Sequence, residues 1–258
     1  MRAPADHPRG RALALAAVGA LSLSACGSSS PAPAASSSPR ALPQDGDAVH
    51  LDPADFTVDI TNKYWPMSPG DRWVYEETED PSGPQRNEVT VLDETKRTAS
   101  GIEARVVHDV VKAPDGSVVE DTRDLYAQDS DGNVWYVGEK TAEYENGKVA
   151  TTEGSWEAGV DGAQPGILLP ADPRPGTGYR QEYLKGEAED EGFVLSTAEQ
   201  VQVPTGTYKG TLMTRDTTPL EPDQVELKFY EPGVGPVLTV SISGAVGREA
   251  LIETTRGG

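Results

Sequence analysis

Cysteine is almost absent from this chain: Cys26 is the only one in 258 residues. No intrachain disulfide is available, so stability must come from a hydrophobic core. Histidine is scarce too, at three residues. One thiol and so few imidazoles exclude a His-Cys zinc cluster. Several catalytic signatures are missing as well: no Gly-x-Ser-x-Gly elbow, no phosphate-cradling loop ending in Gly-Lys-Ser/Thr, and no Gly-x-Gly-x-x-Gly. Beyond the N-terminus, no apolar run approaches the roughly 18 residues that a membrane helix needs. Positive charge is also short, with 22 Lys and Arg against 42 Asp and Glu and a formal net charge of -20. Such a field repels nucleic acid and anionic lipid headgroups and favours cations or basic partners, although dispersed acidity also serves solubility alone.

What the N-terminus does contain is an address. Arg2, Arg9 and Arg11 precede twelve mostly small or apolar residues, Ala12 to Leu23, and small residues follow before Cys26. That layout is a secretory signal peptide, with a core too short to span a bilayer. Within it, Leu23-Ser24-Ala25-Cys26 resembles the lipobox of bacterial lipoproteins. The resemblance implies that the Cys26 sulfur carries a diacylglycerol and that the chain is cut before it, placing the protein outside the cytoplasm on a membrane anchor. The competing reading of Cys26 is a free thiol or an intermolecular disulfide. Two acyl chains suffice for stable anchoring, where one is marginal. Loss of Met1 to Ala25 removes three arginines and one aspartate, taking the charge from -20 to -22.

Residues 26–50 read as a disordered Ser/Pro/Ala-rich tether. As a flexible coil, about 24 residues reach roughly 25 to 30 Å, enough to hold a domain clear of the headgroups. Residues 51–258 read as one β-rich domain. Val225, Leu227 and Phe229 alternate with Glu226 and Lys228, and Leu238, Val240 and Ile242 alternate with Thr239, Ser241 and Ser243. Asp115-Gly116, Asp131-Gly132 and Asn146-Gly147 supply tight hairpin turns, so neighbouring strands are expected to pair antiparallel. With 21 scattered prolines, little helix is expected. The fold class is therefore all-β, an antiparallel meander forming a strongly curved sheet or open barrel. Prolines 165, 170, 173 and 175 break the pattern between Gly159 and Gly178, leaving two readings of that stretch, a lid or a crossover loop.

Two phrases, Trp65-Pro66-Met67-Ser68-Pro69-Gly70-Asp71-Arg72-Trp73-Val74-Tyr75 and Phe229-Tyr230-Glu231-Pro232-Gly233-Val234-Gly235, resemble segments of exported bacterial β-rich lipoproteins. In similar proteins, such as the lipoprotein carriers, a curved antiparallel sheet encloses an apolar ligand.

Candidate sites are few. Asp129, Asp131 and Asn133 alternate on a tight turn as calcium ligands do. Aligned on Gly132, however, an EF-hand loop would need an acid at Ala127 and a glutamate at Gly138, so a polar hairpin turn is the competing reading. His108, between Val106 and Val110, reads as a packed or edge residue. Trp135, Tyr136, Trp156, Tyr179 and Tyr183 are candidates for a ligand cleft, against the ordinary alternative of core and cross-strand packing. Carboxylate pairs such as Glu182 with Glu187 and Glu153 with Glu157 would suit a glycosidase, but 41 acids remain after Ala25, and spacing alone selects none of them.

The sequence thus predicts a tethered extracytoplasmic lipoprotein, non-catalytic, that binds or carries a small or apolar ligand, with no nucleic-acid partner and no cofactor beyond calcium at the Asp129 turn. Its alternatives are an acidic scaffold meeting an envelope protein and a carboxylate-dependent hydrolase of wall polysaccharide.

Overall fold

A computed structural model describes residues 41–78, 83–244 and 247–257. Cys26, the expected signal peptide and the chain through residue 40 lie outside the described residues. Elsewhere, β-branched and aromatic residues at period two, stopped by glycine turns, form strands. The sole helical element among the described residues is a short 3-10 turn, Pro53–Asp55, whose Ala54 N–H donates to the Asp52 carboxylate.

The chain first lays down β1 (Phe56–Thr57), β2 (Arg72–Glu77), β3 (Gln85–Arg97), β4 (Glu103–Lys112), β5 (Val118–Asp129) and β6 (Val134–Glu145). Five short strands follow: β7 (Lys148–Thr151), β8 (Trp156–Glu157), β9 (Gln164–Leu169), β10 (Gly178–Arg180) and β11 (Glu182–Tyr183). Long strands return with β12 (Glu191–Val203), β13 (Gly206–Thr217), β14 (Val225–Glu231), β15 (Gly235–Ser243) and β16 (Gly247–Thr255). They form one antiparallel sheet in the order β10-β12-β13-β14-β15-β16-β2-β3-β4-β5-β6-β9-β11, with β1 on β5 and with β7 and β8 on β6. This is the expected all-β, strongly curved meander, coiled into a nearly closed barrel. Bulges in the β12–β13, β3–β4 and β5–β6 ladders help to bend it. Hairpin chemistry follows the sequence: Asn146 and Gly147 both take positive φ, at 52° and 72°, the pattern of a type I′ turn.

The two edges of the sheet meet at one residue. β10 lies at one end of the strand order and β11 at the other, and only Gln181 separates them in the chain. Here Gly166 on β9 touches the crossing backbone so closely that a Cβ would fall 2.5 Å from the Arg180 carbonyl oxygen and nearer still to Gln181. The Arg180 side chain is buried across the same seam. Its Nη2 donates to the Pro165 carbonyl at 2.7 Å, and its Nη1 donates to the Asp45 and Asp47 carbonyls at 2.6 and 2.8 Å.

That clamp corrects the predicted tether. The segment 42–49 belongs to the folded domain: Leu42 and Val49 pack against the core, Pro43 is buried, and the Pro43 carbonyl accepts from the Arg180 N–H at 2.9 Å. Composition alone reads as linker because this strap is fastened through backbone carbonyls, which any sequence supplies. The stretch 159–178 is corrected as well, since β9 runs through it and joins the sheet. Pro165 is tolerated because β9 pairs with β6 only from Gly166 onward, so the missing N–H costs no bond on that side.

One end of the barrel is closed by the two phrases singled out in the sequence. Trp65 packs edge-on to Trp73, with ring centroids 6.0 Å apart, and Trp73 Nε1 donates to the Val234 carbonyl at 2.8 Å. Gly235, at φ 114°, leaves room for the Trp65 ring: a Cβ there would lie 2.8 Å from Trp65 Cδ1. The buried Asp71 carboxylate ties the closure to the C-terminal segment, accepting from Arg256 Nη1 and the Gly257 N–H, each at 2.9 Å.

Candidate functional site

Strand register decides what faces the inside of the barrel, because directly opposed residues share a face. One row crosses Lys228, Thr239 and Glu249 on β14, β15 and β16. A second crosses Tyr75, Asn87, Val111 and Glu120 on β2 to β5. A third joins Val89, Asp109 and Thr122, and a fourth joins Val107, Asp124 and Glu139. Within these rows lies a chamber of about 300 Å³. Its wall carries seven carboxylates, Asp109, Glu120, Asp124, Glu139, Glu182, Asp190 and Glu249, and a single cation, Lys228. An outer chamber of about 530 Å³ shares Glu120, Asp190, Lys228 and Glu249 with it and adds Glu77, Glu226 and the exposed Arg248.

Aromatic rings floor the acidic chamber. Trp65, Tyr75, Tyr126, Tyr136 and Tyr230 all line it. Tyr126 and Tyr136 lie 4.9 Å apart between centroids, and Tyr136 meets Trp156 edge-on at 5.3 Å. The expected apolar cleft is therefore replaced by a polar one. On β14 the set that faces inward is Glu226, Lys228 and Tyr230, while Val225, Leu227 and Phe229 take the other face.

The carboxylates constrain one another. Asp124 and Glu139 are opposed in the β5–β6 ladder, where like charges destabilise. The Tyr136 hydroxyl lies between them, 2.6 Å from Asp124 Oδ1 and in contact with Glu139 Oε2. A phenol has one proton and can donate to only one of the two, so the other carboxyl must itself be protonated and donate to the phenol oxygen. Burial drives the same result. It pushes Asp124 up to about 6, against the opposing hydrogen bond from Tyr136, and pushes Glu139, with the Asp124 charge added, up to about 8. At neutral pH the Asp124–Glu139 pair therefore holds a proton between them. Burial, tempered by the hydrogen bond from Asn87, pushes Glu249 up to about 7. Asp109 and Glu182 are raised well above the carboxylate range by burial and by the charges of Asp124 and Asp190 respectively.

Lys228 offsets this group only in part: its charge lowers Asp190 and Glu249, yet burial keeps both raised. Burial lowers its pKa, but the charges of Asp216 and Glu226 outweigh burial and hold the ammonium well above its usual value. Its Nζ lies 3.1 Å from Asp216 Oδ2 and 3.6 Å from Glu226 Oε2.

Of the aromatic residues singled out in the sequence, only Tyr136 lines the inner chamber. Trp156 stands behind it and donates from Nε1 to Glu182 Oε2 at 2.6 Å. Trp135 packs against Phe56 and donates to Asp129. Tyr179 is buried against Gly192, and Tyr183 lies at the strap beside Gly46. The Asp129 turn uses its acceptors internally. Oδ1 receives the Asp131 and Asn133 N–H groups, and Oδ2 receives Asn133 Nδ2 and Trp135 Nε1, all within 3.0 Å. The Asn133 Oδ1 accepts from the Ala171 N–H, and Asp131 is exposed. The carboxylate pairs read from spacing do not converge: Glu187 and Glu153 are exposed, and Glu157 pairs with Lys96 at 2.7 Å. His108 contacts Asp121 at 3.0 Å on the face opposite Asp109.

Sequence reasoning missed most of the chamber because, outside β5, its members come one or two at a time from β2, β3, β4, β6, β9, β11, β14, β15 and β16. The one local signal was in β5, where Glu120, Thr122, Asp124 and Tyr126 recur at period two.

No protein-family model and no curated protein matches the chain. Two solved structures resemble it. One is a protein from Bacteroides fragilis described as exported and of YmcC-like fold, 16% identical, with TM-score 0.43, covering 76% of this chain and 100% of its own. The other, from Parabacteroides distasonis and described as a lipoprotein, is 15% identical, with TM-score 0.41, covering 75% of this chain and 99% of its own. At this similarity neither neighbour says what this chain binds.

Proposed function

We propose that the chain is a lipid-anchored extracytoplasmic binding protein, non-catalytic, whose ligand occupies the barrel lumen. The anchor reading rests on Arg2, Arg9 and Arg11, the apolar run and Leu23-Ser24-Ala25-Cys26. The binding reading rests on one observation: beside its apolar core the domain holds a chamber of about 300 Å³ walled by acids and tyrosines. That volume lies at the small end of ligand pockets and suits a small polar molecule better than a lipid. Hydrolysis fits less well, because the Tyr136 hydroxyl fills the space between Asp124 and Glu139 where a reacting glycosidic bond would have to sit.

The test is to extract the protein from its membrane without denaturation and search for a retained small molecule by native mass spectrometry. Thr239, which borders both chambers, gives the control: Thr239→Trp puts a bulky ring at their shared wall. A bound species present in the natural protein and missing from the variant is expected. Equal recovery in both, or no binding of any small molecule by either, refutes the lumen as a ligand site.

A further inference from the structure

We infer that the lumen ligand is a small alkylammonium ion, its nitrogen held at Asn87, Asp109 and Glu249 and its carbon chain laid on the tyrosine wall. This rests on the reading of the lumen as a ligand site and adds the ligand's chemistry.

The first reason is an imbalance of donors and acceptors. Asn87 Nδ2 donates to Glu249 Oε1 at 2.8 Å and to Asp109 Oδ2 at 3.4 Å, which fixes the amide with its oxygen pointing away from both. The buried Asn87 Oδ1 and Asp109 Oδ1 then have no hydrogen-bond partner, although both residues line the chamber. A buried oxygen without a donor costs about 1–3 kcal/mol, and more when charged. These two orphans are oxygens, and an ammonium that takes the place of the Asp109 proton serves both, with three N–H bonds from one atom; Trp65 Nε1, the third unpartnered atom among the lining residues, is a donor that the ammonium leaves unserved.

Charge gives the same sign. The one lysine on the wall is engaged by Asp216 and Glu226, on the far side from Asp109 in the strand order. Among the described residues, Lys228 is the one cation on the chamber wall, and its charge reaches Asp190 and Glu249 but does not return either to its usual value. A metal ion is a poor match: among the described residues, no group of three or more His, Cys, Asp or Glu is gathered to hold one. Tyrosine rings, by contrast, favour the CH₂ groups and charge of an organic cation.

The experiment is isothermal titration of the full-length protein in detergent with butylamine, putrescine, butanol and calcium, repeated on Asp109→Asn. The substitution keeps the shape and puts a neutral amide where a buried carboxyl stood, so the variant is expected to fold. Saturable binding of an amine, no binding of butanol or calcium, and at least a tenfold loss in Asp109→Asn are expected. Amine binding unchanged in a folded Asp109→Asn overturns the assignment, as does binding of calcium in place of amines. If no amine binds while native mass spectrometry finds a neutral or anionic molecule lost in Thr239→Trp, the ligand class is wrong and the lumen site stands. If no small molecule binds at all, both fall.

Discussion

Asp124→Asn is expected to make the protein more stable at neutral pH while leaving its shape unchanged. The Asp124 side chain is 8% exposed and directly opposes Glu139. Its pKa is about 6 in the folded protein against 3.8 in an unfolded chain. The folded state therefore binds the Asp124 proton more tightly than the unfolded state. Stability from this group is greatest below pH 3.8 and is lost as pH rises through about 6. A pKa difference of roughly 2, at about 1.4 kcal/mol for each step of one, gives a loss of about 3 kcal/mol. The amide introduced by the substitution would still accept from the Tyr136 hydroxyl through its oxygen, would not titrate, and would relieve Glu139 of the charge facing it. The assay is urea unfolding followed by tryptophan fluorescence at about pH 4, 5.5, 7 and 8, for natural and variant proteins at fixed salt. Because the scan starts at about pH 4, just above the unfolded value, the free-energy difference should move by about 2 kcal/mol in favour of the variant between the acidic and neutral ends. Natural protein whose stability is flat or rises over that range, or a variant that parallels it at every pH, would show that Asp124 is not held in a proton-binding environment.

Three further substitutions probe the framework. Gly166→Ala drives a Cβ into the Arg180–Gln181 backbone at the seam, and a loss of about 3 kcal/mol, or roughly 6–12 °C in Tm, is expected by calorimetry; an unchanged Tm would mean that the edges do not meet as described. Arg180→Met leaves the Asp45, Asp47 and Pro165 carbonyls without their donor, which should cost about 3–5 kcal/mol and raise hydrogen exchange in 42–49 before it does so in β3 or β4. Asp129→Ala removes the acceptor for four donors, one of them the buried Trp135 indole, and about 2–4 kcal/mol should be lost in urea unfolding with a changed Trp fluorescence spectrum.

How much of this was legible follows from which signals are local. Turn chemistry is local, so Asn146-Gly147 and Asp115-Gly116 identified hairpins, and consecutive hairpins imply an antiparallel meander. The alternation in β14 was equally readable, but alternation does not say which face is inside. In a barrel with a polar lumen the usual rule is inverted, and Glu226 and Lys228 point inward. The bulge in β6 hid a second fact. Tyr136 and Glu139, three apart, ought to face opposite sides of a regular strand, yet Leu125 pairs with Gly138 and Tyr126 with Tyr136, so one extra residue brings both to the lumen. The strap 42–49 was invisible because what holds it is Arg180, more than a hundred residues away in sequence.

A chamber of this kind works against stability, and that is the strongest reason to regard it as functional. Replacing buried ionisable groups by apolar ones of similar volume is commonly neutral or stabilising. Asp124 opposite Glu139, sharing one hydroxyl, forces one proton onto the pair, and Asp109 beside Asn87 leaves two oxygens without donors. A barrel required only to fold and remain soluble could fill the same space with leucine and valine and keep its acids outside. The acids here instead stand inward on β4, β5, β6, β11 and β16, while the one lysine among them is held by acids of its own. Trp65 Nε1 is a lining donor without an acceptor, but at Asn87 and Asp109 what is lacking is positive charge and hydrogen-bond donors. A ligand that supplies both would lower the carboxyl pKa values, displace the proton shared at Tyr136 and stabilise the barrel in proportion to its affinity.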